Sequence, residues 1–264
     1  MAIFYGGLAA DDSGSDQRPP LVLLHGLTFD RRIWQPVVER VRARDATRRI
    51  VAFDLPGHGE SPPQLPHDFD HLINVLERAL EAADVEEPIL IGHSMSGAIA
   101  SLYGARGTVK AIVNVDQPPE IAPFVQLIRS LREQLRGPGF DDVWKMFQAS
   151  FHTELLPPDV RTVVEQNSRP RQELVLSYWA TLLDNPAEEV VAAVDTALAS
   201  IATNKTPYAL VVGQPLPPPL TAELKQKLPQ LQIHEWSPTG HFPHLANPDR
   251  FAALITDAAL TACG

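Results

Sequence analysis

The stretch "LIGHSMSGAIA" (residues 90–100) decides the fold of this chain. It reads as a short apolar strand, a tight turn around Ser94 and a helix of small residues. A serine on such a strand-to-helix turn is pushed out of the sheet at strained backbone angles, which exposes its hydroxyl above the helix N-terminus. Ser94 is therefore a candidate nucleophile, and a serine that merely caps the following helix is the alternative.

The flanks of this turn must be small, because two backbone segments approach each other closely there. Gly92 meets this requirement on the strand side. On the helix side Ser96 stands where a second glycine is usual, with Gly97 directly after it. The departure is mild, and the pattern still predicts a strand, a sharp turn and a helix.

Strand and helix patterns alternate on both sides of this motif. Apolar runs predict strands within 19–26, 49–59, 88–94, 110–119, 208–213 and 231–237. Amphipathic runs predict helices at 30–43, 69–83 and 247–262. This alternation indicates an α/β fold, with a mostly parallel sheet flanked by helices.

Residues 120–205 break the alternation, because they show helical periodicity and no clear strand. We therefore predict a core of residues 1–119 and 206–264, with a helical cap inserted at 120–205. A chain of 264 residues is long enough for such an arrangement.

The composition of the chain limits the classes of partner that it can bind. The net charge of -10 argues against nucleic acid and anionic membranes, since phosphate surfaces need clustered Lys and Arg. No apolar run approaches a membrane span, and "MAIFYGGLAADD" (1–12) lacks the basic start of a secretion signal. The single cysteine, Cys263, fits a reducing compartment. We expect a cytoplasmic protein with a small-molecule substrate, and the sequence leaves its oligomeric state open.

Three further segments follow predicted strands: "LLHGLTFD" (23–30), "FDLPGHGES" (53–61) and "PTGHFPHLANPDRF" (238–251). Together with residues 90–100, their order and spacing resemble the α/β-hydrolase superfamily from about residue 19 onward. The resemblance implies the α/β-hydrolase fold with a cap, and acyl transfer to water through a serine nucleophile without a cofactor.

The resemblance also implies roles for individual residues. His241 would take the proton of Ser94 and return it to the leaving group, and His244 is the alternative base. The backbone N–H groups of Leu27 and Met95 would form the oxyanion hole. A serine at the nucleophile position disfavours members of the superfamily that use an aspartate there, such as haloalkane dehalogenases.

The acid of the triad is the unusual feature. Most α/β-hydrolases carry an aspartate shortly after the strand that here reads "YALVVG" (208–213). The following "QPLPPP" (214–219) holds no acidic residue. The preceding strand ends in Asp116, and certain haloalkane dehalogenases and the fungal zearalenone lactonases take their acid from that strand. We predict Asp116 as the acid, with Glu120 and a non-catalytic Asp116 as alternatives.

Four histidines, His25, His58, His93 and His241, would lie near the strand ends. None shows zinc spacing and no carboxylate accompanies them as a ligand, so we predict no metal. In similar hydrolases the first three brace loops. Glu60, in the turn after the second of these strands, reads as a solvated or capping carboxylate.

The pocket is the least specific prediction. We expect Thr28, Trp144, Phe147 and Trp179 to line an apolar site, although cap aromatics also pack their own helices. Such a site suits a small hydrophobic ester or lactone. The alternatives are C–C bond hydrolysis, perhydrolysis or acyl transfer by the same triad, and a weakly catalytic ligand-binding receptor.

Overall fold

A computed structural model of the chain describes residues 2–15, 18–257 and 260. Cys263 lies outside these described residues. The strands are β1 (Ile3–Tyr5), β2 (Leu8–Ser13), β3 (Leu21–Leu24), β4 (Ile50–Phe53), β5 (Ile89–His93), β6 (Ala111–Val115), β7 (Tyr208–Val212) and β8 (Leu231–Glu235). They form one sheet in the order β1-β2-β4-β3-β5-β6-β7-β8.

The helices of the described residues alternate with these strands, apart from one long helical segment. They are α1 (Gln35–Arg44), preceded by a 3₁₀ turn at Arg31–Trp34, α2 (Phe69–Ala82), α3 (Met95–Arg106), α4 (Ala122–Ser130), α5 (Arg132–Arg136), α6 (Phe140–Ser150), α7 (Pro158–Asn167), preceded by a 3₁₀ turn at Thr153–Leu155, α8 (Gln172–Tyr178), α9 (Ala180–Asp184), α10 (Ala187–Thr203), α11 (Pro218–Lys227), α12 (Pro243–Ala246) and α13 (Pro248–Thr256). No helix of the described chain is both long and apolar enough to cross a bilayer.

The predicted fold class is confirmed. Strands β3 to β8 pair in parallel, and β2 joins them antiparallel to β4. Every residue of β3, β4, β5, β6 and β7 is buried, which explains why these strands read as continuous apolar runs instead of alternating ones.

Helices cover both faces of the sheet. In β3, Val22 and Leu24 point into one apolar cluster while Leu21 and Leu23 point into the other. The first cluster receives side chains from α2, α3 and α10, and the second from α1 and α13. Because strands β3 to β8 are parallel, their carboxyl ends lie at the same edge of the sheet. The loops that follow them carry side chains at that edge, where ligands bind in sheets of this kind.

The hairpin of β1 and β2 is absent from the sequence prediction. The strands pair antiparallel around Gly6 and Gly7, whose φ angles are both positive. A two-residue Gly-Gly turn between apolar residues is a recognised hairpin signal, so the sequence contained the information.

Between β6 and β7 the described chain is entirely helical, from α4 to α10. The last of these helices packs on α3, and the Ser200 hydroxyl donates to the Ala105 carbonyl over 3.0 Å. Side chains of this segment also belong to the same apolar cluster as one face of the sheet. The division into core and cap at residues 120 and 205 stays a prediction.

A buried arginine ties the loop after β3 to the loop after β4. Arg31 forms ion pairs with Asp54 and Glu60, and its Nε lies 3.0 Å from Oδ1 of Asp11 in β2. Asp54 is fully buried and also accepts the backbone N–H groups of Arg31 and Glu60, over 2.7 and 2.8 Å. Glu60, expected to be a solvated or capping carboxylate, thus helps to neutralise Arg31.

Removing Arg31 should leave the Asp54 charge buried without its partner. We expect Arg31→Ala to lower the free energy of unfolding by about 3–5 kcal/mol, measured by urea denaturation. Arg106→Ala, which breaks an exposed pair with Asp70, should cost less than about 1 kcal/mol. Equal losses in the two variants would contradict this account of the buried cluster.

Candidate active site

Ser94 occupies the sharp turn between β5 and α3. Its backbone angles are φ 54° and ψ -130°, a strained conformation for a residue with a side chain. At Gly92 a Cβ atom would lie 2.0 Å from the Ser96 carbonyl oxygen, so only glycine fits there. The buried Ser96 hydroxyl donates to the His25 carbonyl. The serine at the second flank therefore ties this turn to the loop after β3.

His241 lies in the loop after β8 and forms a hydrogen bond with Asp116. Its Nδ1 is 2.7 Å from Oδ2 of Asp116, which directly follows β6 at φ 57°. The other carboxylate oxygen accepts the Gly213 N–H over 3.0 Å. Burial raises the pKa of Asp116, but the hydrogen bond and positive charge of His241 and the Gly213 N–H together bring that pKa below its ordinary value.

The segment after β7 serves Asp116 through its backbone. At Gly213 a Cβ would lie 1.8 Å from the Gly240 carbonyl oxygen, so this residue has no room for a side chain. Helix α11 begins only five residues later, at Pro218, where proline is well tolerated because the first N–H groups of a helix have no intrahelical partner. The contact between this segment and Asp116 is thus made by the Gly213 N–H, while the N–H of Leu216, farther along the segment, donates to Oε1 of Glu235 over 3.1 Å.

Asn114 supports the turn that carries Asp116, a role that sequence reasoning missed. It is buried in β6; its Nδ2 donates to the Gln117 carbonyl over 2.7 Å and to the Tyr208 hydroxyl over 2.8 Å. Its Oδ1 accepts the Gln117 N–H over 3.2 Å. An amide inside the otherwise apolar run "AIVNV" (111–115) was the available signal, because a buried amide must find partners.

The alternative base, His244, is placed in the core. Its ring centroid lies 4.7 Å from the rings of both His93 and Trp34, and burial holds its pKa well below the ordinary value. His241, in contrast, lines the same cavity as Ser94. The structure therefore brings together Ser94, His241 and Asp116, and separates His244 from them.

The other histidines form hydrogen bonds to loop backbones. The Leu55 N–H donates to Nε2 of His25 over 3.0 Å, and the Thr28 N–H donates to Nε2 of His58 over 3.2 Å. Burial lowers the pKa of both rings, which favours the neutral form that can accept these bonds. In the part of the chain that the structure describes, no group of three or more metal-ligating side chains is placed to hold a metal.

A cavity of about 560 Å³ opens beside Ser94. The aromatic residues Trp144, Phe147 and Trp179 line it, as expected from the sequence, and pack edge-on or tilted against one another. Leu27 and Met95, whose N–H groups were expected to form the oxyanion hole, line it too.

The loop that carries Leu27 passes close to the nucleophile. A Cβ on Gly26 would lie 3.0 Å from Nδ1 of His93 and 3.2 Å from the Ser94 Cβ, so a side chain there would crowd both residues. The residue next to Leu27, Thr28, does not line the cavity, although it was predicted to do so. It lines a separate groove, because its N–H is bound by His58 and its carbonyl accepts the Arg169 N–H over 2.7 Å.

Phe151, in the helical segment between β6 and β7, contacts His241 in two ways. Its ring stacks on the imidazole with centroids 4.8 Å apart and an interplanar angle of 18°. Its carbonyl accepts the His241 N–H over 2.9 Å. The sequence did not predict this contact, because nothing in the local pattern links position 151 to position 241.

Comparison with known proteins places the chain among relatives of similar length. A profile of the alpha/beta hydrolase family matches residues 21–254. The chain is 27% identical over 255 residues to a 2-succinyl-6-hydroxy-2,4-cyclohexadiene-1-carboxylate synthase of Serratia proteamaculans (strain 568), a match that covers 92% of this chain and 93% of that protein. It is 24% identical over 256 residues to a pimeloyl-[acyl-carrier protein] methyl ester esterase of Vibrio parahaemolyticus, with coverage of 92% and 95%.

The fold is shared with solved structures. The enol-lactonase of Burkholderia xenovorans LB400 superposes with a TM-score of 0.72 at 18% identity, over 97% of this chain and 98% of that one. A match to one further curated relative, 40% identical over 88 residues, spans only 23% of that relative's length.

The buried His93, next to Ser94, generates a prediction about acid stability. Burial holds its pKa at about 3 in the folded protein, against about 6.5 when unfolded. The unfolded chain therefore binds an extra proton as the pH falls below 6.5, and folding loses stability down to about pH 3. This residue alone should contribute a loss of about 2 kcal/mol between pH 7 and pH 5.

We expect His93→Asn to show a correspondingly smaller fall in the free energy of unfolding over the same interval, measured by urea denaturation at both pH values. The difference in the free energy of unfolding between wild type and variant at pH 8 gives the cost of the substitution itself. If wild type and variant lose stability in parallel from pH 7 to pH 5, His93 does not titrate as described.

Proposed function

The chain belongs to the alpha/beta hydrolase family, and we propose that it is a serine hydrolase that cleaves a carboxylic ester or lactone of a small hydrophobic substrate. One observation carries the proposal: Ser94 and the hydrogen-bonded pair of His241 and Asp116 face a single cavity with an aromatic wall. The named activities of two relatives, an esterase and an enol-lactonase, support the same reaction class.

In the proposed first step, the Ser94 hydroxyl attacks the carbonyl carbon of the ester. His241 accepts the hydroxyl proton at Nε2, because its Nδ1 is engaged with Asp116. The buried carboxylate holds the imidazole in the tautomer that can accept at Nε2 and stabilises the imidazolium that forms. The pKa of Asp116, lowered on balance, keeps this carboxylate ionised near neutral pH.

The tetrahedral intermediate carries a negative oxygen, which the backbone N–H groups of Leu27 and Met95 would bind. Such donors act strongly in a site from which water is excluded, typically contributing about 10²–10³ in turnover per donor. The intermediate then collapses, His241 protonates the leaving alcohol, and an acyl-enzyme remains on Ser94. For a lactone the alcohol stays attached to the acyl group, so the product is a single hydroxy acid.

Water completes the cycle. It attacks the acyl-enzyme carbonyl, gives one proton to His241 Nε2, and the second intermediate collapses to release the acid and restore the Ser94 hydroxyl with that proton. The proposed chemistry uses only the side chains and backbone groups named.

A second candidate reaction uses the same residues on a substrate other than an ester. It is favoured by the similarity, over 92% of this chain, to a protein named as a synthase. Cleavage of a carbon–carbon bond or acyl transfer would keep the roles of Ser94 and His241. A protein labelled at Ser94 by a serine-directed probe, yet inactive on every ester offered, would support this second candidate.

The nucleophile is tested directly. We expect a fluorophosphonate probe to label the wild-type protein once, at Ser94, and wild type to hydrolyse p-nitrophenyl esters of short and medium chains. Ser94→Ala should lose both labelling and turnover, because the other serine of this turn, Ser96, is buried and its hydroxyl donates to the His25 carbonyl. Peptide mapping of the labelled protein identifies the site, and a label elsewhere would refute the assignment.

The acid is tested by a matched pair of amide substitutions in the same cavity. Asp116→Asn should lower kcat by about 10⁴, because a neutral amide holds His241 in the wrong tautomer. Glu120→Gln should lower kcat by less than tenfold, because Nδ1 of His241 is bonded to Asp116, while Oε1 of Glu120 accepts from the Ala122 N–H. The reverse pattern would make Glu120 the acid.

A further inference from the structure

Among the described residues that line the cavity beside Ser94, acidic side chains outnumber lysine and arginine. Among these described residues, the carboxylate and imidazole side chains are those of Asp116, Glu120, His152 and His241, and neither lysine nor arginine is among them. Asp116 is engaged by His241 and by the Gly213 N–H. Of the two carboxylates, Glu120 is the one that the proposed reaction does not use.

Within the described part of the chain, Glu120 has a single polar contact, and it is to the backbone. Its Oε1 accepts the N–H of Ala122, the first residue of α4, over 3.0 Å. His152, the imidazole outside the proposed triad, pairs with the Glu154 carboxylate through Nδ1 at 2.9 Å. A backbone dipole stabilises a carboxylate but does not neutralise its net charge.

Basic side chains are present near this face of the protein, but they line another groove. Arg32, Arg169 and Arg171 line the groove that also contains Thr28. The Arg171 guanidinium donates to the Gly57 carbonyl, and Arg32 pairs with Asp30. None of the three residues lines the cavity that holds Ser94.

The size of the cavity makes this charge significant. A sphere of about 560 Å³ is about 10 Å across, which sets the scale of the distance between Glu120 and a bound substrate. At an effective dielectric constant near 20, two unit charges about 10 Å apart shift an equilibrium constant by about tenfold. Aromatic rings lining the rest of the cavity favour apolar groups and, through their faces, cations.

We propose that Glu120 is a specificity-determining residue that makes this cavity reject anionic substrates, so that the ester it takes is uncharged or positively charged. The inference rests on the proposed function for its kinetic test, because it names the substrate class of that reaction. The cavity's charge preference itself is a property of binding and can be measured without turnover.

The experiment uses three esters with one leaving group, 4-methylumbelliferone, and acyl chains of equal length that end in a methyl, a carboxylate or a trimethylammonium group. We expect wild-type kcat/KM for the carboxylate ester to be at least about tenfold below that of the methyl ester. In Glu120→Gln, which keeps the acceptor oxygen for the Ala122 N–H, the ratio of carboxylate to methyl ester should rise about tenfold, while the ratio of ammonium to methyl ester falls.

Glu165→Gln is the matched control, because Glu165 is exposed on α7, is not among the residues that line the cavity, and its substitution changes the net charge by the same amount. It should leave both ratios as in wild type. Binding of the same three esters to Ser94→Ala, with and without Glu120→Gln, is followed by the fluorescence of the cavity tryptophans and should show the same order of affinity.

The outcomes distinguish a failure of the inference about Glu120 from a failure of the proposed function. If wild type hydrolyses the methyl ester but Glu120→Gln leaves both ratios unchanged, the inference about Glu120 is overturned and the proposed function stands. If no ester is hydrolysed, the proposed function fails, and the binding order in the Ser94→Ala background alone decides on charge selection. Preferred binding of the carboxylate ester there would overturn the inference as well.

Discussion

The carboxylate of Asp116 is the junction on which the site depends. One of its oxygens binds His241, in the loop after β8, and the other binds the Gly213 N–H, directly after β7. Asp116 itself follows β6, so one side chain joins the ends of three adjacent parallel strands. Pairing of these strands in the sheet brings their ends together, and the buried carboxylate is stabilised because both oxygens accept hydrogen bonds.

That junction needs close approach of backbones, which the sequence provides through small residues. Gly213 lies so near Gly240 that a methyl group would collide with its carbonyl, and Gly92 lies equally close to Ser96. The first contact brings the loops after β7 and β8 together, and the second closes the turn between β5 and α3 that carries Ser94. The crowding at Gly213 leaves no room for a side chain there, and the N–H of this residue is committed to Asp116.

Local patterns were enough to predict strands β3 to β8 and the turn at Ser94, whereas the choice of His241 over His244 rests on the family resemblance and stays a prediction. They worked because burial on both faces imposes continuous apolar runs and because the turn tolerates few residues. The vacancy at "QPLPPP" also directed attention to Asp116, since a carboxylate was needed and the usual position had none. The β1–β2 hairpin was missed although its Gly-Gly turn was visible, because the apolar residues of 1–12 were weighed only as a possible secretion signal.

Most other contacts between residues far apart in sequence were not predicted. Thr28 was expected in the pocket, yet hydrogen bonds to His58 and Arg169 place it in another groove. The contacts of Asn114 and Phe151 likewise depend on tertiary structure.

Phe151 shows the consequence best: its carbonyl binds the backbone of His241 and its ring covers the imidazole. The helical segment therefore acts on His241 as well as lining the cavity, because a displacement of residue 151 would remove a hydrogen bond and a stacking surface from His241. The shape of the cavity and the position of His241 are thus set together, and a sequence change in this segment that reshapes the pocket also acts on the imidazole.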